Sequence, residues 1–353
     1  MLNNTTTLPE TMIAVRLIGH GGPEMLQYVT DQPLPALHDD DVLVKVAAAG
    51  VNNTDINTRT GWYSKGDHND ADAGWNGNAL QLPRIQGADV CGQIVAVGRH
   101  VDSSRIGQRV LIEPCIRHND GQALAHPWYF GSECDGGFAG YTKVASVHAH
   151  AITSPLSDVE LASFPCSYST AENLLTKAAV QRGDRVLITG ASGGVGSAAI
   201  QLAKARGAQV IALTSAAKAA ELQRIGADRT VERSQSLLET LGCNQVDVVI
   251  DLVAGQIFPQ LLEVLKPHGR YAVAGAIGGA EVSLDVRTLY LKDLSFYGCT
   301  VLEPEVFANL VKRIEAGQLQ PLVAHTFALA EISQAQALFQ QKGHIGKIVL
   351  KVD

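Results

Sequence analysis

The sequence predicts an α/β protein in two parts, a β-rich domain and a doubly wound parallel sheet, and three observations carry that prediction. Up to about Ala151, short strands alternate with glycine, proline and asparagine turns and no long helix intervenes, as in barrel-like β domains. From Arg185 onward, strands alternate with helices, the pattern of a parallel sheet covered on both faces. Between them lies Arg185-Val-Leu-Ile-Thr-Gly-Ala-Ser-Gly-Gly-Val-Gly196, which reads as strand, tight glycine turn and helix start.

In chain order, the first strands are expected at residues 42–46, 89–97, 108–112 and 138–144. Residues 64–81 interrupt them; they are rich in Asp, Asn and Gly around Trp75 and have no periodicity. That leaves a binding loop and a plain surface insertion both open. Ser157-Asp-Val-Glu160 has capping-box spacing and predicts a helix start, and a further helix is expected over residues 170–179, ended by Gly183. Beyond the glycine turn, strands are expected between Gly207 and Thr214 and at residues 230–231, 246–251, 270–275 and 295–299. Helices are expected at 257–265, 303–316 and 332–341, before a last strand over 347–352.

Val186, Leu187 and Ile188 form a continuous apolar run suited to a strand buried on both faces. Ser192, Gly193, Gly194, Val195 and Gly196 then bring unpaired helix-start amides to a place where a pyrophosphate can sit. Gly193 and Gly194 leave room for it, and Gly196 permits close packing of helix on strand. The turn therefore reads as a dinucleotide site. A carboxylate at the end of the next strand would bind a ribose 2′-hydroxyl, but Thr214 is followed by Ser215 and Lys218 and by no acid. With Arg233, these residues make a plausible 2′-phosphate pocket, so NADPH is expected over NADH.

The composition is that of an ordinary soluble chain of 353 residues, enough for two domains. A formal net charge of −7 and the lack of a dense Lys/Arg run argue against nucleic acid or an anionic membrane as the main partner. The N-terminus lacks a basic start and an apolar core, and no apolar run is long enough to span a bilayer, so a cytoplasmic protein is expected. The six cysteines are scattered and are read as reduced thiols.

Five stretches in this order resemble the medium-chain dehydrogenase/reductase superfamily, in particular its zinc-free quinone oxidoreductase and enoyl reductase branch. They are Ala49-Gly-Val-Asn-Asn-Thr-Asp55, Gly87-Ala-Asp-Val-Cys-Gly92, Asp135-Gly-Gly-Phe-Ala-Gly-Tyr141, the 191–196 turn and Gly346-Lys-Ile-Val-Leu350. The resemblance covers nearly the whole chain. It implies a GroES-like β-rich catalytic domain, residues 1–156 and 318–353, and a Rossmann NADP(H)-binding domain, residues 157–317.

The alcohol dehydrogenase branch binds zinc where this chain has Asn52, Ala88 and Cys166. Asn52 is a poor zinc ligand and Ala88 is none, so no catalytic metal is expected. Cys115, His118, His126 and Cys134 occupy the region of that branch's structural zinc, with a spacing that fits no familiar pattern. The resemblance further implies that Asn52 orients the carbonyl or the nicotinamide and that Tyr63 donates a proton to the substrate, a role a phenol can fill while neutral. Thr170 and Gly275 are implied beside the nicotinamide, and Asp55 as a cap or as a partner of Asn52. The implied activity is NADPH-dependent, zinc-independent reduction of small α,β-unsaturated carbonyl compounds or quinones. A ketone/alcohol oxidoreductase and an NADPH-binding protein without useful turnover are the alternatives. The resemblance also implies a homodimer formed through the last Rossmann strand, near residues 295–299, which would cover an apolar edge.

Overall fold

The computed structural model describes residues 8–64, 74–75 and 79–352. The chain divides into two compact units. The first comprises residues 1–166, 325–343 and 348–353, and the second residues 167–324 and 344–347.

The first unit opens with β1 (Thr11–Leu17), β2 (Leu26–Pro33) and β3 (Asp41–Val51), followed by α1 (Asn53–Thr60). Then come β4 (Arg84–Ile85), β5 (Asp89–Val97), β6 (Arg109–Ile112), β7 (Cys115–Asn119), β8 (Gln122–Tyr129), β9 (Tyr141–Ala145), β10 (Ala149–Ala151) and α2 (Asp158–Leu161). At the boundary α3 (Pro165–Lys177) begins. The second unit continues with β11 (Arg185–Ile188), α4 (Gly194–Ala205), β12 (Gln209–Thr214), α5 (Ala219–Arg224), β13 (Arg229–Glu232), α6 (Leu237–Leu241) and β14 (Val246–Asp251). It closes with α7 (Phe258–Val264), β15 (Leu265–Val273), α8 (Val286–Leu291), β16 (Ser295–Gly298) and α9 (Val306–Glu315). The chain ends through β17 (Val323–Ala328), α10 (Ile332–Gln340) and β18 (Lys347–Lys351).

In the first unit β3 is the organising strand. Nearly all of its residues are buried, Leu43 as well as Val42, Val44 and Val46, and only Lys45 is exposed, as expected of a strand flanked by partners and packed on a core. The sheet runs β10-β6-β5-β3-β18-β17, with β9 also on β3, beside a sheet ordered β2-β1-β4 and a β7-β8 hairpin. Val90, Ile94, Val110, Ile112, Phe138, Ile348 and Leu350 fill the space between. This β-rich architecture is the GroES-like half that the sequence implies.

The second unit is a sheet ordered β13-β12-β11-β14-β15-β16 with every pair parallel. Val186, Leu187 and Ile188 of β11 are fully buried, as expected of a central strand between two helical layers. The order reverses between β11 and β14. Ligands of such doubly wound sheets bind outside the carboxyl ends of the strands at that point.

Several element ends differ from the sequence expectation. The helix expected over 170–179 starts at Pro165 and ends at Lys177, since proline at a first helical position lacks only an amide that the helix would leave unpaired anyway. The strand expected over 138–144 begins at Tyr141. Phe138 and Gly140 instead link sheets, with the Val15 amide on the Phe138 carbonyl and the Gly140 amide on Ile13. The strand expected over 270–275 spans Leu265–Val273 and leaves Gly275 in the following loop, and the helix expected from residue 303 begins at Val306. Of the 64–81 insertion, residues 65–73 and 76–78 lie outside the described residues. All six cysteines lie among the described residues, and none forms a disulfide.

Candidate active site

In the second unit the cofactor residues named from sequence gather at the carboxyl ends of the parallel strands. The Ser192 to Gly196 turn follows β11, Ser215 and Lys218 follow β12, Arg233 follows β13, and Gly275 follows β15. Gly193 is the N-cap of α4, and the helix proper starts at Gly194. A Cβ on Gly194 would lie 2.5 Å from Ser167 Oγ, and one on Gly196 would run into the Gly190 carbonyl oxygen. A Cβ on Gly193, by contrast, would have its nearest neighbour, the Gly190 oxygen, at 3.6 Å. Two glycines thus close the turn against protein, and the third keeps its outer side open. Thr170 is three residues beyond Ser167 on α3 and shares its helix face.

Lys218 is lodged against this turn. Its Nζ donates to Ser192 Oγ at 3.2 Å and to the His344 carbonyl at 2.9 Å. Burial, together with the nearby Arg233 charge, lowers its pKa from the usual lysine value. An anion placed there would relieve the repulsion between the two cations. Ser215 is half-buried and Arg233 exposed, with the Arg233 amide on the Thr214 carbonyl at 2.8 Å. The free-glycine turn, the helix start and the cation pair fit a dinucleotide with its phosphates at the strand ends.

Residues that the sequence reading did not name fix the loop across the switch point. Asp251, at the end of β14, is fully buried and accepts from Thr189 Oγ1 at 2.5 Å, from Tyr271 Oη at 2.6 Å and from the amides of Val253 and Ala254. One carboxylate therefore ties the ends of β11, β14 and β15 together.

In the first unit a second cluster forms around Asp89. Its Oδ1 accepts from the Cys166 amide at 2.5 Å and its Oδ2 from Asn52 Nδ2 at 2.8 Å. Gly50 permits this approach, because a Cβ there would collide with Asp89 Oδ2. Asn52 precedes α1, and its amide donates to Asp55 Oδ2 at 2.7 Å, so Asp55 caps the helix and fixes Asn52, as expected. Gln86 Nε2 holds the Asp55 carbonyl at 2.9 Å. Tyr63, past the end of α1, donates to Thr54 Oγ1 at 3.1 Å. Burial raises its pKa against the pull of hydrogen bonds to Thr54 and Asn57, so the phenol stays protonated at neutral pH.

Tyr129 completes the cluster and was not legible in the sequence. Its ring packs on Ala88 and Cys166, its hydroxyl lies 3.0 Å from Cys166 Sγ, and Trp75 stands over it with ring centroids 5.0 Å apart. Glu133 Oε2 accepts from the Tyr129 amide at 2.8 Å. Burial, reinforced by Cys166, pushes the Tyr129 pKa well above the ordinary tyrosine value.

The donor set does not fit a catalytic zinc. Ala88 offers no ligand atom, the Asn52 amide group is spent on Asp89, and both Asp89 oxygens are taken. Of the possible structural-zinc residues, Cys115 and His118 lie on β7, His126 is exposed on β8, and Cys134 follows that hairpin. Among the described residues no group of three or more His, Cys, Asp or Glu is placed to hold a metal ion.

Comparison with known proteins agrees with this architecture. The alcohol dehydrogenase GroES-like domain family matches residues 38–154, and the family described as zinc-binding dehydrogenase matches residues 194–316. A quinone oxidoreductase from Sus scrofa is 30% identical, with 96% of this chain and 97% of the relative covered. An acryloyl-coenzyme A reductase from Metallosphaera sedula is 30% identical over 96% of this chain and 99% of its own. The crystal structure of a putative alcohol dehydrogenase from Sinorhizobium meliloti 1021 superposes with a TM-score of 0.92 at 45% identity, covering 99% of this chain and 98% of that one. The chain belongs to the medium-chain dehydrogenase/reductase superfamily of nicotinamide-dependent oxidoreductases. Within it, the chain falls in the quinone oxidoreductase-like branch.

Proposed function

We propose that the protein is an NADPH-dependent, zinc-independent reductase of small α,β-unsaturated carbonyl compounds or quinones. One observation carries the reading. Where the alcohol dehydrogenase branch keeps its metal, this chain has Asn52, Ala88 and Cys166, with Asp89 saturated by internal donors and neutral phenols around it. A developing enolate needs a hydrogen-bond donor at oxygen and a proton at the α-carbon, and it does not need a Lewis acid.

Bound at the glycine turn, a reduced nicotinamide supplies the hydride. Ser192, Gly193, Gly194, Val195 and Gly196 take the pyrophosphate at the start of α4, and Ser215, Lys218 and Arg233 take the 2′-phosphate. Thr170 and Gly275 line the nicotinamide, and Asn52, its amide nitrogen held by Asp89, orients the nicotinamide. Tyr63 gives its proton to the α-carbon and is reprotonated from solvent. In this reading the β-rich unit is the catalytic domain, the protein works in the cytoplasm, and two copies pair along the β16 edge. Exposed Val286, Tyr290, Leu291 and Phe296 near that edge favour such pairing.

A ketone/alcohol oxidoreductase using Tyr63 as acid is the second reading, favoured by the likeness to a putative alcohol dehydrogenase at 45% identity. Oxidation of NADPH and NADH is to be followed against enals, enones, quinones and ketones, with and without a chelator, and the products identified. Chelator-insensitive, NADPH-selective saturation of the carbon–carbon double bond, or quinone reduction, is expected. An alcohol product would favour the second reading, and activity abolished by chelator, or no oxidation at all, would refute the first.

A further inference from the structure

We infer that Tyr129 is a second catalytic residue, the donor that holds the substrate's oxygen in the place left by the absent metal. This rests on the reductase reading above and assigns its oxyanion contact. Steric fit is the first ground. Ala88 presents only a methyl group at a zinc-ligand position, and Tyr129 belongs to the same small buried cluster as that methyl group. The second ground is the phenol's resting partner. Its hydroxyl lies 3.0 Å from Cys166 Sγ, a contact in which either atom can donate, and a thiol is a weak partner in both roles. An oxygen bearing developing negative charge forms a much stronger hydrogen bond than sulfur, so exchanging one acceptor for the other favours the transition state over the ground state. Tyr63, in contrast, rests on a hydroxyl oxygen, Thr54 Oγ1.

Orientation is the third ground. The Glu133 carboxylate holds the Tyr129 backbone amide, and the Trp75 amide donates to Ser132 Oγ at 3.2 Å, so the ring over Tyr129 is anchored to the same turn. Tyr129 and Cys166 each keep 7% of their surface and Asn52 keeps 5%, while Ala88 and Asp89 keep none.

The division of labour is balanced. Hydride carries two electrons to the β-carbon, the oxygen takes up the charge, and Tyr129 donates a hydrogen bond without losing its proton. Tyr63 then supplies the proton that completes the α-carbon.

Tyr129→Phe keeps the ring, its stacking on Trp75 and its amide contact, and removes only the donor. With the acceptor that wild type reduces best, kcat is expected to fall about 100-fold, as for loss of one oxyanion donor, with NADPH affinity unchanged. Independently of turnover, the affinity of wild type and variant for 4-nitrophenolate, a stable oxyanion, is read from its absorbance shift, and an approximately tenfold loss is expected. Unchanged kcat, or unchanged nitrophenolate affinity, overturns the assignment. If wild type itself reduces no acceptor, the reductase reading fails, while the nitrophenolate comparison still decides whether Tyr129 receives an oxyanion.

Discussion

The glycine turn and the Asp89 cluster solve opposite problems. The turn works by what is missing: without side chains, Gly194 and Gly196 let it close against Ser167 and Gly190, and Gly193 leaves its outer side open at the start of α4. The cluster works by what is present, polar groups of side chain and backbone brought from distant segments to meet one another. Asn52 and Asp89 are 37 positions apart, and Asp89 and Cys166 are 77 apart. A site made of empty space fails when anything is added, whereas a site made of mutual partners fails when any partner changes its chemistry.

That contrast can be broken most severely at Gly196. Gly196→Val places a branched side chain against the Gly190 carbonyl and should weaken NADPH binding by at least about 100-fold, equivalent to about 2.7 kcal/mol. A fluorescence titration with normal affinity would show that the turn does not hold the pyrophosphate. A smaller effect is expected from Asp89→Asn, which has nearly the same shape but turns an acceptor oxygen into a donor facing another donor. One buried N–H is left without a partner, at a cost of about 1–3 kcal/mol in denaturant unfolding, with NADPH affinity unchanged. Unfolding at the wild-type midpoint would mean that the cluster tolerates a mismatch. Smallest and most selective is Lys218→Ala. NADPH affinity should drop about tenfold, or about 1.4 kcal/mol, while NADH affinity stays as it is. Equal losses for the two nucleotides would place Lys218 outside the 2′-phosphate pocket.

The same contrast explains what could be read from the sequence. Val186-Leu-Ile188, the glycines and Lys218 declare themselves locally, because a strand buried on both faces, a tight turn and a missing carboxylate are each written in adjacent residues. Asn52, Tyr63 and Cys166 were legible only through resemblance, which supplies the pairing of distant segments. Tyr129 was legible in neither way, since its role depends on the small Ala88 and on the sulfur it meets across 37 positions. Asp251 was likewise hidden, because it reads as the polar end of a strand until Thr189 and Tyr271 converge on it. Helix α3 begins ahead of its expected residue 170 because its start rests on Pro165, a residue that more often signals where helices stop.

The packing of Tyr129 on Ala88 matters to anyone who would rebuild a metal centre in this scaffold. A histidine at position 88 needs volume within the buried cluster that holds the Tyr129 ring, and a cysteine at position 52 removes the Asn52 donor from Asp89. Each change alone is a loss, through overpacking in one case and an unpaired buried acceptor in the other. A metal at this place therefore requires residues 52, 88 and 129 to be exchanged together.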